Sequence, residues 1–350
     1  MVPERLRPII DITAPLAGRF VAAGKRVYLV GGTIRDSLAG RPGGLPADES
    51  VDIDLTTDAR PDEIEEIVRD GATTVWTQGK RFGTIGVLFG GRRIEITTHR
   101  AEAYDPDSRK PTVVFGDDLE TDLSRRDFTV NAMALSLPKL EMFDPYDGLV
   151  DLAARRLRTP LSPEISFSDD PLRMLRAARF LAGYGLAADP DLTAAVVKMA
   201  ERLSIVSSER MRDELDKLMV LPEPGQGLWF LVETGLAAQF LPELPALALE
   251  QDPIHRHKDV LAHTIAVVEK TSAGKSPADK ILRLAALFHD VGKPKTRAIG
   301  PEGVSFHHHD VVGARMTRAR MQALSYPTAE IDAVCRLVEL HLRFHTYQMG

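Results

Sequence analysis

The chain has 350 residues, 44% of them hydrophobic and 27% charged, with a formal net charge of −6. That length suits two or three domains with a substantial core, and the composition is ordinary for a globular protein. The acidic balance means that any nucleic-acid contact must use local basic patches, and the lone Cys335 excludes an internal disulfide.

In chain order, residues 1–24 read as an amphipathic helix. Strand patterns follow at Val27–Val30, Val51–Leu55, Thr84–Phe89, Arg93–Thr97 and Glu141–Phe143, mixed with two or three helical stretches. Residues 1–150 are therefore an α+β domain. From about residue 168 strand signals vanish. Leu172–Leu181, Pro190–Arg202, Ser208–Met219 and Gly227–Thr234 carry helical period, with Ser207 placed as an N-cap. Pro222, Pro224, Gly225, Pro242 and Pro245 then break the chain, so residues 151–248 are expected to form an all-helical neck or body. Residues 249–350 make a second helical unit, where every histidine but His99 lies. The N-terminus does not read as a signal peptide, and no apolar run is long enough to span a membrane. One cysteine fits a reducing compartment, and the expected location is the cytoplasm.

Asp52 and Asp54 stand one residue apart in the apolar run Val51–Leu55. On a strand, period-2 alternation sends both carboxylates to one face with Cα atoms about 7 Å apart. Side chains at that separation can hold two divalent cations about 4 Å apart, as an in-line phosphoryl displacement requires. An isolated Asp-x-Asp is more often a pair of solvated carboxylates before a turn. The preceding strand running into Gly31-Gly32 changes that balance, because glycines let the backbone approach a phosphate. Thr33 is expected to cap the next helix, and Arg35 to reach the same phosphates. No Gly-Lys-Ser/Thr and no Gly-x-Gly-x-x-Gly occurs there, which disfavours P-loop and dinucleotide folds.

Glu95, flanked by isoleucines in a strand pattern, is a candidate third acid, since an unpaired carboxylate is costly to bury. An ion-paired or edge-exposed glutamate is the competing reading. Arg125 and Arg126 can pair with a neighbouring aspartate while one guanidinium contacts a ribose or phosphate, and Asn131 can bond a sugar hydroxyl. In the helix after Asp169-Asp170, Arg173, Arg176 and Arg179 span roughly 120° of the wheel opposite Met174, Ala177, Ala178 and Leu181. Asp170 lies one turn before Arg173, and together they present the acceptors and donors that reading a base edge needs.

Five ordered motifs carry a resemblance: Gly31-Gly-Thr-Ile-Arg-Asp36, Asp52-x-Asp54, Arg125-Arg-Asp-Phe-Thr-Val-Asn-Ala132, Asp169-Asp-Pro-Leu-Arg173 and Glu209-Arg-Met-Arg-Asp-Glu-Leu215. From about residue 26 to 245 the chain resembles the class II CCA-adding tRNA nucleotidyltransferases, a family that also contains bacterial poly(A) polymerases. The resemblance implies a polymerase-β-like head followed by a helical neck, adding C, C and A to the tRNA 3′ end from CTP and ATP. It implies that Asp52 and Asp54 hold two Mg²⁺ ions and that Gly31, Gly32 and Arg35 meet the triphosphate. Arg126 would contact ribose or phosphate. Asp170 and Arg173 would pair with the incoming base, supported by Arg176 and Arg179, with Glu209 and Arg210 bracing that helix. The family usually has Glu-Asp where this chain has Asp169-Asp170. Residues 100–109 resemble the loop that full CCA-adding enzymes use to switch from C to A.

His263, His289-Asp290 and His309-Asp310 resemble an HD domain, and His263, His289 and Asp290 are candidate ligands for a divalent transition metal. His307, His308, His309, Asp310 and His341 compete to complete the set. The chain stops nine residues after His341, in what reads as mid-domain. Two alternatives stand beside CCA addition: a poly(A) polymerase with the same chemistry, and an HD phosphohydrolase whose nucleotide-binding head is degenerate.

Overall fold

The computed structural model describes residues 4–40, 53–103, 112–249, 259–271, 277–300 and 303–343. The chain divides into two compact units, Met1–Asp169 and Asp170–Gly350.

The N-terminal unit runs α1 (Arg7–Ala22), β1 (Val27–Val30), α2 (Gly32–Leu38), β2 (Ile53–Thr57), α3 (Pro61–Val68), β3 (Thr74–Trp76), β4 (Thr84–Phe89), β5 (Arg92–Thr98), β6 (Arg100–Ala103) and β7 (Thr112–Phe115). It continues through α4 (Leu119–Ser124), β8 (Ala134–Leu137), β9 (Met142–Phe143), α5 (Gly148–Ala153), β10 (Arg156–Leu157) and α6 (Pro163–Asp169). Seven strands form one sheet in the order β3-β4-β5-β2-β1-β8-β9. Within this sheet of the described residues, β2 and β5 pair parallel and the other neighbours antiparallel.

Strand alternation gives this sheet two unlike faces. Leu29, Leu55, Ile85, Val87, Ile94, Ile96 and Leu135 point to one side and share a buried cluster with Leu16 and Phe20 of α1 and Ile64 and Val68 of α3. Burying such side chains contributes about 1.5–3 kcal/mol each, so the register is strongly held. On the opposite face a smaller apolar cluster lies near β1 and β8, where Tyr28, Val30 and Ala134 meet Leu119 and Leu123 of α4. Further along it carries Asp54, Thr56, Thr84, Gly86, Glu95 and Thr97. The expected strand Val51–Leu55 is β2 at Ile53–Thr57; residues 51 and 52 lie outside the described residues.

The C-terminal unit runs α7 (Leu172–Tyr184), β11 (Ala187–Ala188), α8 (Pro190–Met199), α9 (Ser208–Met219), α10 (Gly225–Glu233), α11 (Leu236–Phe240), α12 (Val260–Lys270), α13 (Lys280–Phe288), α14 (Lys293–Thr296), β12 (Ala298–Gly300), β13 (Gly303–Ser305), α15 (His309–Ala323) and α16 (Thr328–Leu340). The expectation that strands vanish past residue 168 is corrected by β11 and by the antiparallel pair β12–β13, which are too short to show a period of two. Ser207 is the N-cap of α9, but its hydroxyl makes no cap bond. No helix among the described residues is long and apolar enough to cross a membrane.

Candidate active site

β1 delivers the chain to Gly31, whose φ of 75° is open to glycine at little cost, and α2 begins at the next residue. Thr33 does not cap α2: the N-cap is Gly31, and Thr33 is buried within the helix. A Cβ on Gly31 would lie 3.3 Å from Asp54 Oδ2 and 3.5 Å from Arg126 Nη1, so backbone, carboxylate and guanidinium converge there. Asp54 is in direct register with Glu95 on the parallel neighbour β5, and Glu95 in turn faces Gly86 of β4. β5 is an interior strand, so Glu95 is not at a sheet edge; its carboxylate is half-exposed, with Arg93 at 3.5 Å. Asp52 lies outside the described residues, as do residues 104–109 of the loop with the switching resemblance.

Arg35 folds back over Gly32, with Nη2 3.2 Å from where a Cβ would stand on that glycine. It is buried, donates twice to Asp36 at 2.9 and 3.0 Å, and donates to Asn131 Oδ1. Asn131 spends its amide on Asp127 at 2.8 Å. It is a buried strut, because each side of its carboxamide already has a protein partner.

Asp122 is the hub that the sequence did not single out. It has no exposed surface and accepts from Arg125 (2.7 Å), Arg126 (3.4 Å), Thr56 (3.4 Å) and the Arg100 amide (3.2 Å). Burial alone would raise its pKa, but the two guanidinium charges outweigh that and hold it down at about 2. Arg126 is thereby fixed beside Gly31, and its Nε is buried without a hydrogen-bond partner among the described residues. Thr56 also meets His99 Nδ1 at 2.9 Å; that imidazole is fully buried, and burial pushes its pKa down. The one sign in the sequence was that His99 stands apart from the other nine histidines.

In the C-terminal unit, the arginines of α7 do not form an exposed stripe. Arg173 is buried together with Met174, Ala177, Ala178 and Leu181, while Arg176 and Arg179 are half-buried against the Phe180 ring at 5.8 and 5.0 Å. Asp170 uses Oδ1 to cap the Leu172 amide at 3.1 Å and Oδ2 to accept from Arg210 at 2.8 Å. Arg179 donates to Glu214 at 2.7 Å, and Glu214 is only 3% exposed. The brace from α9 thus consists of Arg210 and Glu214; Glu209 is exposed.

The histidines gather at a second centre. A Cβ on Gly292 would stand 2.1 Å from the His309 carbonyl oxygen. Glycine is required there for α14 and α15 to approach so closely, and that approach sets His309 beside Asp290. Donor atoms of His263, His289 and Asp290 lie within 4.8 Å of one another, and so do those of Asp290, His309 and His341. His309 and His341 therefore join the expected three; His307, His308 and Asp310 do not belong to either cluster. His289, His309 and His341 each turn Nδ1 to the carbonyl three residues back, at 2.7, 2.8 and 2.6 Å. Donation from Nδ1 turns each Nε2 inward, where it offers a lone pair to a metal or, in the protonated ring, a hydrogen bond to the carboxylate. Two such lone pairs, on His309 and His341, face each other at 3.2 Å, an arrangement that repels unless a cation or proton lies between them. The donor set suits a transition metal. Burial works to raise the Asp290 pKa, but hydrogen bonds from His289, His309 and Lys293 hold it far below the usual range.

Residues 27–158 match the poly A polymerase head domain, residues 185–247 the probable RNA- and SrmB-binding site of polymerase A, and residues 260–349 the HD domain. The chain belongs to the CCA-adding nucleotidyltransferase and poly(A) polymerase family. It is 35% identical over 263 residues to the CCA-adding enzyme of Lactobacillus delbrueckii subsp. bulgaricus, covering 75% of this chain and 62% of that one. It is 39% identical to the A-adding tRNA nucleotidyltransferase of Deinococcus radiodurans, covering 64% of this chain and 52% of that one. The structure of Bacillus stearothermophilus CCA-adding enzyme in complex with CTP superposes with a TM-score of 0.68 at 27% identity, over 95% of this chain and 70% of that one. The chain thus spans less than two thirds of these curated family members' length. Mixed-sheet head and helical C-terminal region follow the family fold, as the motif order implied.

Proposed function

We propose that this protein adds C, C and A to the 3′ end of tRNA from CTP and ATP, releasing pyrophosphate at each step. The observation that carries this reading is the direct register of Asp54 and Glu95 on adjacent strands, beside the Gly31 turn and the Arg126 guanidinium. Two acidic side chains half-open to solvent on one sheet face, with Asp52 two residues before the first, fit two Mg²⁺ ions. Bound there, the ions supply charge at the attacking 3′ oxygen and the leaving pyrophosphate.

The chain's own groups do the positioning. Gly31 and Gly32 let the triphosphate approach the backbone, and Arg126, fixed by Asp122, offers donors to the ribose or phosphates. Arg35, folded over Gly32, contacts the same triphosphate. Asp170 and Arg173 select the base through hydrogen bonds, with Arg176, Arg179, Arg210 and Glu214 holding α7 in place. Preorganised donors of this kind need no reorganisation when charge develops on the phosphate. Three parts follow: a head over residues 1–150, a neck and body over 151–248, and an HD domain over 249–350. The HD centre holds a divalent transition metal through His263, His289, Asp290, His309 and His341. A tRNA substrate and a single cysteine support a cytoplasmic location.

The A-adding relative favours one second reading, in which only the terminal A is added. Incubation with Mg²⁺, singly labelled nucleotides and tRNAs ending before CCA or after CC separates the two. The proposal expects CTP to be used on the first tRNA and ATP on the second. ATP use on the second alone supports A addition, and long A tails on either RNA support a poly(A) polymerase. Incorporation of UTP or GTP comparable to CTP overturns the Asp170/Arg173 assignment, and no incorporation of any nucleotide overturns the reading as a whole.

A further inference from the structure

Helix α9 has two working faces. Arg210, Glu214 and Lys217 lie on one: Arg210 holds Asp170, and Glu214 holds Arg179 with Lys217 at 3.0 Å behind it. Ser208, Arg212 and Asp216, spaced by four, make a second stripe roughly 160° around the helix at 100° per residue. That second stripe is bonded throughout to segments beyond residue 259. Ser208 Oγ meets Ser325 Oγ at 2.9 Å, and Arg212 donates to the Ser325 carbonyl. Tyr326 donates its hydroxyl to Asp216 Oδ1 at 2.6 Å, and Lys280 donates to Asp216 Oδ2 at 3.1 Å and to Glu330 at 2.9 Å.

The C-terminus of α9 is gripped as well. Arg283 of α13 is fully buried and donates to the carbonyls of Met219, Leu221 and Pro222, the last at 2.9 Å. These are carbonyls that a helix end and its following turn leave without partners, so the guanidinium satisfies them where water has no access. α13 therefore binds α9 near its start and leads to His289-Asp290 at its end, while Ser325 and Tyr326, in the turn before α16, hold α9 and α16 leads on to His341. A helix whose opposite faces are both engaged passes displacement from one to the other, because helix interiors are stiff and packed.

We propose that Asp216, clamped by Lys280 and Tyr326, is a positioning residue for nucleotide choice: the histidine-rich unit sets α9, and α9 sets the base-reading helix α7. This rests on the reading of α7 given above. Asp216 touches no substrate in this scheme; it acts through Arg210 and Glu214 on Asp170 and Arg179.

The test compares Tyr326→Phe, which deletes one oxygen, with Lys280→Met and the rescue variant Lys280→Arg in the full chain. Hydrogen exchange of α7 amides and the KM and kcat for CTP, ATP and UTP are measured. Losing a charge-assisted hydrogen bond from a linked set should speed α7 exchange and raise the KM for CTP and ATP by about tenfold, while exchange in α1 stays unchanged. Discrimination against UTP should narrow, kcat at saturation should fall less than KM rises, and Lys280→Arg should restore most of the loss. Unchanged α7 exchange with unchanged KM overturns the proposal, as does a drop in kcat alone, which marks a merely structural clamp. If wild-type protein incorporates no nucleotide, the functional reading fails, and α7 exchange in the same variants still decides the mechanical link.

Discussion

The sheet face around Asp54 and the histidine centre around Asp290 handle negative charge in opposite ways. On the sheet, Asp54 and Glu95 stand side by side and half-open to solvent, so added cations gain attraction at little desolvation cost. At the histidine centre the carboxylate is 1% exposed and already paired from within by Lys293 at 2.7 Å, with imidazole nitrogens at 3.2 and 3.5 Å. A buried carboxylate without such partners would not stay ionised. Carboxylates presented to solvent suit ions that arrive with a substrate. A carboxylate enclosed by donors suits an ion that becomes part of the fold.

The largest effect should come from Asp54→Ala. Nucleotide incorporation is expected to fall at least about 10³-fold, as when a preorganised transition-state contact is lost, with metal content at the histidine centre unchanged. An Asp54→Ala protein retaining a tenth of wild-type incorporation would break the contrast between the two centres. The second strongest test is the double variant His309→Ala/His341→Ala. Its affinity for Co²⁺ or Mn²⁺ by calorimetry should drop by more than about 100-fold, because two ligands and their carbonyl-oriented lone pairs are removed together.

Asp122→Asn sharpens the comparison from within the N-terminal unit. The Asp122 pKa is held at about 2 in the folded chain, below its ordinary value, so its ionised form stabilises the fold above about pH 4. That stability is lost as pH falls through the folded value. Wild type should exceed Asp122→Asn by about 2 kcal/mol in urea melts at neutral pH, and the difference should close between about pH 4 and 2. A difference that persists at pH 2 would assign the effect to packing. The smallest effect belongs to Arg93→Ala. Its ion pair with Glu95 is 3.5 Å long, with Arg93 exposed and Glu95 half-exposed, so the melting free energy should change by less than about 1 kcal/mol.

Much of this was legible from residue order. Val27–Val30 and Thr84–Phe89 are strands at the expected bounds, the first a short apolar run buried on both faces and the second an alternation of buried and half-buried residues. Ser208–Met219 is likewise a helix at its expected bounds. Short elements were not legible: β12 and β13 span three residues each, fewer than two full periods. Nor did Arg173, Arg176 and Arg179 reveal their burial. Helical spacing says which side chains share a face, but the burial of Arg173 and the pairing of Arg179 with Glu214 depend on what packs against α7.

Residue order set the chemistry available: Asp54 and Glu95 on strands of known alternation, a Gly-Gly turn beside them, and a histidine-rich C-terminal third. Those properties are local, set by backbone period and residue type. Which groups meet was left to the folded chain. It put Asp54 in register with Glu95 forty-one residues on, made Asp122 the anchor of Arg126, and chose His309 and His341 over their neighbours. Such choices depend on how strands and helices from distant segments pack, and packing is a property of the whole chain rather than of any stretch of it.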